Sequence, residues 1–491
     1  MERDEALKAL RPARLFIDGV HRDAANGLTA EVVDPAHGSL LTTTAMAGVA
    51  DLDLAAAAAQ RAFRGPWSNL NARDRGRHLR KLAMLLQRDA DLFAALEALH
   101  CGKPFAVART EDVASAVEAL EAGAALSERL EGRALRIRGD RTVFTVREPA
   151  GVVLSLTPAD DPLSELARKL APALAAGNTV VAKISALSPL TADRLGSLIE
   201  ECGFPPGVVN LLPGDADLGR AAVVHPEIDR VTITGSEAAG RDVAKHAGEL
   251  LKPVAARLGG KSTQIVFADS GDPKETAKLL TEAYTAHAGQ SCLSGGRILV
   301  ERAIYDRLLP RLVEAANQRR AGCPFDRRTD FAPLLSAARR ESLHAGVLRA
   351  IERGARLVAG GDVLEPPDLA GFFYRATILT DVDPEDEIAR EGLFGPVAVV
   401  IPFADEDEAV RLASRTRFGL AASIRTGDSA RALRVARRLP VGAVWINRHG
   451  ALDPSVPFVG RKASGGGTDL GTESLDFYTQ IKTTWVPDEA R

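Results

Sequence analysis

The sequence has 491 residues, of which 46% are hydrophobic and 26% charged. This is the composition of a globular protein, and the length predicts two or three domains rather than a single core. Lys and Arg (62) nearly balance Asp and Glu (65), giving a net charge of -3. That balance, with no block of like charge, argues against nucleic acid and anionic membranes as partners.

The termini and the cysteines give expectations about location. The first ten residues mix both charge signs, and the most apolar stretch, 170–184, carries Lys183. We therefore expect no signal peptide and no membrane span. The cysteines are far apart and form no CxxC motif, which argues against a disulfide framework and a zinc cluster. We expect a cytoplasmic protein without a structural metal. The cysteines are Cys101, Cys202, Cys292 and Cys323.

Helices and short apolar strands alternate along the chain, and this predicts an α/β fold. After residue 150, strands are expected at 152–158, 178–184, 208–214 and 231–235, with helices between them at 164–177, 191–203 and about 218–224. Parallel strands with crossover helices form a nucleotide-binding type of sheet. Ligands bind to such a sheet at the carboxyl ends of its strands.

A second α/β unit is expected after residue 258, with strands at 263–268, 297–301, 397–403 and 443–447. Residues 133–149 differ from both units, because two alternating strands meet at Gly139 and Asp140 like a hairpin that leaves its domain. A two-stranded ribbon is marginal alone. We therefore expect this one to pack on another subunit.

Several motifs, in order along the chain, carry more specific information. They are KLAPALAAGNTVVAKISALSPL, TGSEAAG, RLGGKS, GQSCLSGGR, LFGPV and PFVGRKASGGG. In this order they resemble the aldehyde dehydrogenase superfamily, and the resemblance extends from Leu15 to Val486.

The resemblance implies a three-part fold and an assembly. A Rossmann-type cofactor-binding domain would comprise 1–132 and 150–257, and an α/β catalytic domain 258–445. A β-hairpin oligomerisation domain would comprise 133–149 and 468–491. The implied assembly is a homodimer or homotetramer.

Cys292 has small and polar neighbours, Gly289, Gln290 and Ser291, which would let a ligand approach its sulfur at a loop-to-helix junction. By itself this pattern fits a buried, inert cysteine equally well. The resemblance implies a nucleophile. Its thiolate would add to an aldehyde to give a thiohemiacetal, and loss of hydride to a nicotinamide would leave a thioester for water or another acceptor to cleave.

A cofactor site is indicated where a predicted strand enters a helix at Gly235, Ser236 and Gly240, because a helix start offers N–H groups to a pyrophosphate. The pattern alone is weak, since the strict GxGxxG fingerprint is absent. The resemblance adds Lys183 as a contact to the adenosine ribose, and it retains Phe394 in the LFGPV motif. The implied cofactor is NAD or NADP.

Two catalytic positions depart from the family pattern. Asp160 stands where the family has the Asn that donates to the oxyanion, so that donor is lost unless Asp160 is protonated. Arg257 replaces the Glu that serves as general base, and arginine cannot be deprotonated in proteins. Arg257 would stabilise a thiolate, bind an anion, or pair with Asp160 or Asp161.

Three further departures lie nearby. Ala186 and Gly392 replace the family's two ribose-binding Glu residues, which predicts weak nucleotide binding with less discrimination against NADP. His287 stands where the family usually has Asn. Together with Arg448 and His449 it is compatible with a polar or anionic substrate, although each fits a solvated surface residue as well.

Three hypotheses follow. The first is an NAD(P)-dependent aldehyde dehydrogenase that acts through Cys292. The second is a variant that passes the thioester to CoA or another thiol, which would explain Arg257. The third is a catalytically impaired homologue that serves as an oligomeric binding subunit.

Overall fold

The computed structural model describes residues 1–137 and 141–487, so the predicted turn at Gly139 and Asp140 lies outside the described residues. The helices are α1 (Arg3–Ala9), α2 (Val49–Arg64), α3 (Ala72–Arg88), α4 (Ala90–Cys101), α5 (Phe105–Val107), α6 (Ala114–Leu126), α7 (Pro162–Ala175), α8 (Leu190–Cys202), α9 (Ala216–Val224), α10 (Glu237–Glu249), α11 (Pro273–Thr285), α12 (Arg302–Asn317), α13 (Ala337–Glu352), α14 (Glu387–Arg390), α15 (Glu406–Ser414), α16 (Ser429–Arg438) and α17 (Leu475–Tyr478).

The strands are β1 (Leu15–Ile17), β2 (Val20–Arg22), β3 (Thr29–Val33), β4 (Leu40–Ala45), β5 (Arg133–Arg136), β6 (Arg141–Pro149), β7 (Val152–Leu156), β8 (Thr179–Ser185), β9 (Val209–Gly214), β10 (Arg230–Thr234), β11 (Val254–Arg257), β12 (Thr263–Val266), β13 (Arg297–Glu301), β14 (Arg356–Ala359), β15 (Thr377–Thr380), β16 (Val397–Phe403), β17 (Phe418–Gly419), β18 (Ala421–Arg425), β19 (Ala443–Ile446), β20 (Phe458–Val459), β21 (Arg461–Lys462), β22 (Gly465–Gly466), β23 (Thr468–Asp469) and β24 (Thr479–Pro487).

The first sheet has the order β2-β1-β9-β8-β7-β10-β11-β22, and its central strands β9, β8, β7, β10 and β11 are parallel. Alternate residues of a strand face opposite sides of a sheet. Accordingly, Val153 and Val180 join one apolar core while Leu154 and Val181 join another. A sheet covered on both faces is expected for parallel strands joined by helices, and the α/β prediction is confirmed.

The second sheet has the order β14-β15-β16-β13-β12-β18-β19 and is parallel except for β14. Its central strands are buried in a third large core, which includes Ile265, Ile298, Val399 and Ile424. The predicted second α/β unit is therefore present. The exact domain boundaries stay predictions.

The predicted ribbon is completed within its own chain. β24 pairs antiparallel with β6 from Thr479 opposite Pro149 to Pro487 opposite Arg141, and β5 pairs with the other edge of β6. The hairpin is therefore not a bare two-stranded ribbon, because the C-terminal segment supplies a third strand. Within residues 1–137 and 141–487, no helix is long and apolar enough to span a membrane.

Candidate active site

Strand ends of both sheets open onto one cleft of about 2040 Å³. Lys183 and Ser185 reach it from β8, Thr234 from β10 and Arg425 from β18. The predicted site residues that line it are Asp160, Lys183, Gly235, Ser236, Arg257, His287, Cys292, Gly392 and Phe394. Ala186 and Gly240 are not among the described residues that line it. A Cβ at Gly240 would instead lie 2.4 Å from the side chain of Leu258, so this glycine allows close packing of α10.

Cys292 lies in a turn that leads into β13, not at the start of a helix as expected. The turn before it is tightly wound, with positive φ at His287, Ala288 and Gly289. A Cβ at Gly289 would meet the Gly395 carbonyl oxygen at 2.1 Å, which explains the glycine. A Cβ at Gly260 would lie 2.8 Å from the Cys292 carbonyl oxygen. The RLGGKS, GQSC and LFGPV motifs therefore pack closely around the thiol.

The Cys292 thiol is partly exposed and packs beside the apolar side chains of Leu420 and Phe458. Burial raises the pKa of this thiol to about 12. The charge of Arg257 acts in the opposite direction, while Glu165 and Asp160 raise the pKa further. In this state of the protein the sulfur is a thiol and not a thiolate at neutral pH.

Arg257 does not pair with Asp160 or Asp161, and that expectation is wrong. It forms an ion pair with Glu165 on α7, and its Nη1 lies 3.6 Å from Oδ2 of Asp469. Its guanidinium also lies 5.7 Å from the ring centre of Phe458. Burial opposes the charge of Arg257, yet these two carboxylates hold its pKa above the usual value.

These contacts belong to a chain of ion pairs with alternating sign, which we call the paired wall. All of its members except Lys169 and Asp469 line the cleft. In order, its members are Lys169, Asp469, Arg257, Glu165, Arg168, Asp161, Lys103 and Asp112. Lys169 Nζ lies 2.8 Å from Asp469, and Lys103 Nζ lies 3.0 Å from Asp161 and 2.8 Å from Asp112. The positive charge of Arg257 is thus neutralised within the protein.

Two adjacent aspartates before α7 have pKa values shifted in opposite directions. Burial works against ionisation of Asp161, but Lys103 and Arg168 hold its pKa below the ordinary value. Burial raises the pKa of Asp160 to about 6, although Arg339 acts in the opposite direction. Asp160 is therefore a hydrogen-bond donor below about pH 6 and a carboxylate above it.

Two histidines flank Cys292. His287 Nε2 lies 3.3 Å from the Cys101 carbonyl oxygen, and burial lowers the His287 pKa to about 3. His449 Nε2 donates to the carbonyl of Leu293 at 2.7 Å, and its Nδ1 lies 3.1 Å from Ser423 Oγ. Burial also lowers the pKa of His449. Both rings are neutral. His287 contacts the last residue of α4, His449 holds the backbone next to Cys292, and neither is a solvated surface residue.

The other end of the cleft fits a nucleotide phosphate. Ser236 caps α10 by accepting the N–H of Ala239 at 3.2 Å, so the first N–H groups of a 13-residue helix face the cleft. Gly235 leaves the approach open, since a Cβ there would have no neighbour closer than 3.8 Å. Burial lowers the pKa of Lys183, whose side chain reaches the cleft from the end of β8.

Gly392 and Phe394 lie between these two ends. A Cβ at Gly392 would stand 2.8 Å from the Gly260 carbonyl oxygen, so this loop has closed in where the family carries a carboxylate. Arg339 packs over the Phe394 ring at 5.5 Å and is the cation that most lowers the pKa of Asp160. A bound dinucleotide would therefore meet a guanidinium and an aromatic ring here in place of a ribose-binding Glu.

Glu97, His100 and Cys101 form a buried group whose ligand-type atoms lie within 4.8 Å of one another. His100 Nδ1 accepts the N–H of Leu190 at 3.2 Å, so the proton of the neutral ring sits on Nε2. That nitrogen has no lone pair to offer a metal ion, and the group does not have the chemistry of a metal site.

Sequence reasoning did not identify Glu165, Arg168, Asp469 or Arg425. A signal for the first two was present, because residues 165 and 168 are three apart on a predicted helix and carry opposite charges. Asp469 and Arg425 are contributed by distant segments. Only the folded chain brings Arg425 to the cleft and Asp469 to Arg257.

The family model for the aldehyde dehydrogenase family matches residues 21–484. An aldehyde dehydrogenase of Emericella nidulans is 36% identical over 97% of this chain and 95% of its own length, and human retinal dehydrogenase 2 is 36% identical over 97% and 92%. An aldehyde dehydrogenase from Bacillus cereus solved with NAD+ has a TM-score of 0.95 at 34% identity, covering 99% of this chain and 98% of its own. A P. syringae indole-3-acetaldehyde dehydrogenase mutant solved with NAD+ and IAA has a TM-score of 0.96 at 35% identity, covering 99% and 100%.

Proposed function

Because the chain belongs to the aldehyde dehydrogenase family, we propose that it oxidises an aldehyde with NAD or NADP through a thiohemiacetal and a thioester on Cys292. One observation carries this proposal. A single cleft joins the Cys292 thiol to the phosphate-type helix start at Ser236 and to Lys183. Relatives solved with NAD+ support a nicotinamide cofactor.

The residues of this chain have separate tasks in that reaction. The Cys292 sulfur bonds to the aldehyde carbon, and the thiol proton leaves for solvent or for the developing alkoxide. Asp160, when protonated, donates a hydrogen bond to that oxygen. A nicotinamide nucleotide, when bound, supplies the acceptor for the hydride that leaves the thiohemiacetal. Ser236, Gly235 and Lys183 hold its phosphates and ribose.

Release of the acyl group by water is slow, since Arg257 cannot take a proton and is held by Glu165 and Asp469. The same ion pairs favour a second candidate function, transfer of the acyl group to CoA or another thiol. Such an acceptor brings its own sulfur nucleophile and needs less help from a base than water does.

The three-stranded sheet β24-β6-β5 supports assembly into a homodimer or homotetramer. It exposes large apolar side chains, including Leu135 at 42%, Ile481 at 64% and Trp485 at 57%. A contiguous apolar surface on a free sheet edge is typical of a subunit interface. Analytical ultracentrifugation tests this, and a monomer at micromolar concentration would contradict it.

An NAD(P)H absorbance assay over a panel of aldehydes, with and without CoA, tests the activity. We expect an initial burst or slow turnover in the wild type, none in Cys292→Ala, and an unchanged rate in the matched control Cys323→Ser. Turnover only with CoA selects acyl transfer. Steady fast turnover without CoA contradicts the slow-release claim. No detectable turnover under any condition favours the hypothesis of a non-catalytic binding subunit.

Arg257→Glu combined with Glu165→Gln restores a base and removes one of the two carboxylates that contact this position, while Asp469 keeps Lys169 as its partner. Faster hydrolytic turnover in this double variant, abolished by adding Cys292→Ala, supports the assignment of Arg257 as the block. Calorimetric titration with NAD and NADP tests the cofactor. Because Ala186 offers no carboxylate to repel a 2'-phosphate, we expect weak binding with little preference between the two.

A further inference from the structure

Arg425, the last residue of β18, stands apart from the cations of the paired wall. It lines the same cleft, and only 5% of its surface is exposed. Its Nε is buried without a hydrogen-bond partner, and within the described residues no carboxylate forms an ion pair with it. A buried cation without a partner is costly to keep.

The position of Arg425 relative to the thiol follows from a short chain of contacts. Leu293, next to Cys292, accepts a hydrogen bond from His449 at 2.7 Å, and the other ring nitrogen of His449 lies 3.1 Å from Ser423 Oγ. Ser423 and Arg425 are two residues apart on β18 and so lie on the same face, roughly 7 Å from each other along the strand. Along this chain of contacts, Arg425 therefore lies farther from the thiol than His449 does.

The charged groups around Arg425 do not neutralise it. Arg448, which also lines the cleft, is an exposed cation, and burial lowers the pKa of His449, so neither neutralises Arg425. Glu282 on α11 lies near enough to act on Arg425 electrostatically, but forms no ion pair with it. By contrast, Lys103 and Arg168 on the paired wall each have a carboxylate partner.

We propose that Arg425 binds an anionic group of the carboxylate class at the end of the aldehyde substrate remote from the carbonyl that meets Cys292. A guanidinium matches a carboxylate with two parallel hydrogen bonds, and the solvent-poor setting strengthens them. The substrate class is then that of aldehydes bearing a carboxylate. The inference deepens the proposed function and rests on it for the identity of the substrate, but not for the binding of the anion.

A binding titration tests the anion site without turnover. Trp445 reports on it, since its ring centre lies 5.3 Å from that of His449. We expect glutarate to change the tryptophan fluorescence saturably in the wild type and in Cys292→Ser, and 1,5-pentanediol to have no effect. Arg425→Gln should weaken glutarate binding about 30-fold. The exposed Arg437→Gln, away from the cleft, should leave it unchanged.

Arg425→Gln removes an unpaired charge, so its thermal midpoint should equal or exceed that of the wild type. This readout separates lost binding from lost structure. Equal glutarate affinity in Arg425→Gln and wild type, or no saturable binding in the wild type, overturns the proposal. Inorganic phosphate is the second probe, because a phosphate would also suit a guanidinium. Tighter binding of phosphate than glutarate, lost in Arg425→Gln, overturns the carboxylate assignment.

Kinetics distinguish this proposal from the proposed function. Succinic semialdehyde should be preferred to butyraldehyde in kcat/KM, and Arg425→Gln should remove the preference mainly through KM. A preference for butyraldehyde in the wild type overturns the anion site and leaves aldehyde oxidation intact. Arg425-dependent glutarate binding in a protein that turns over no aldehyde supports the anion site and contradicts the proposed function.

Discussion

Two partly exposed thiols, Cys292 and Cys323, have opposite electrostatic surroundings. Cys323 hydrogen-bonds with His37, whose Nδ1 lies 2.8 Å from Asp34 Oδ2. Hydrogen bonds to Asp34 and Cys323 raise the His37 pKa to about 9. Burial alone would raise the pKa of Cys323, but its contact with this cationic ring leaves it below the usual value.

Cys292 also has a cation nearby, yet its pKa rises to about 12. Burial is the main cause, and the placement of the carboxylates adds to it. Near Cys323, the imidazole lies between the thiol and Asp34. Near Cys292, Glu165 and Asp160 act directly on the thiol while Glu165 and Asp469 neutralise Arg257. A neighbouring cation activates a thiol only when its charge is not already balanced by carboxylates that also face the sulfur.

The largest effect is expected from breaking the paired wall. Asp469→Asn leaves Lys169 and Arg257 as neighbouring buried cations, and we expect a loss of about 3–5 kcal/mol in unfolding free energy. Asp476→Asn is the matched control, because its partner Arg147 lies at the surface and the Asp476 side chain is 68% exposed. That change should cost at most about 1 kcal/mol. Chemical denaturation measures both, and equal losses would show that the paired wall does not stabilise the fold.

The second prediction compares the two thiols directly. At pH 8 we expect iodoacetamide to alkylate Cys323 about 50-fold faster than Cys292, because the larger thiolate fraction outweighs the lower nucleophilicity of the more acidic thiolate. Peptide mass spectrometry follows each site. His37→Gln should slow the alkylation of Cys323 and leave that of Cys292 unchanged. Cys323→Ser should not alter the alkylation rate of Cys292. Faster labelling of Cys292 in the wild type would reverse the comparison.

These environments also mark the limit of sequence reasoning. Alternating apolar strands and helix starts are local patterns, so the sheet and the helix start at Ser236 could be predicted from them, whereas Lys183 and Cys292 were assigned through the family motifs. The partners of Arg257 were not, because Glu165 and Asp469 come from separate segments and only packing brings them together. The pairing of β24 with β6 joins segments more than 300 residues apart, and only the family resemblance, not a local pattern, had put them in one domain.

The third prediction concerns Glu165. Glu165→Gln removes an anion that raises the Cys292 pKa and partly frees the charge of Arg257. We expect alkylation of Cys292 at pH 8 to accelerate about tenfold, which corresponds to about one pKa unit. Arg257→Leu should slow it. Glu118→Gln, an exposed change in the same cleft, is the control and should have no effect. Equal rates in Glu165→Gln and wild type would mean that Glu165 does not suppress the thiol.

The smallest effect is expected at Asp160, and it depends on pH. Burial raises the Asp160 pKa to about 6, so the side chain is a carboxylate at pH 8 and neutral at pH 5. Only the carboxylate raises the Cys292 pKa. Asp160→Asn should therefore increase the reactivity of Cys292 about threefold at pH 8 and leave it unchanged at pH 5, where the two side chains carry the same charge.

Methyl methanethiosulfonate reacts fast enough to follow this ratio across the range. The ratio of variant to wild-type rates should rise with a midpoint near pH 6, the pKa of Asp160. Asp242→Asn, which also lines the cleft, should give a flat ratio of one. A constant gain in Asp160→Asn at every pH would show that Asp160 acts on the thiol through packing and not through its charge, because a steric effect of the amide would not titrate.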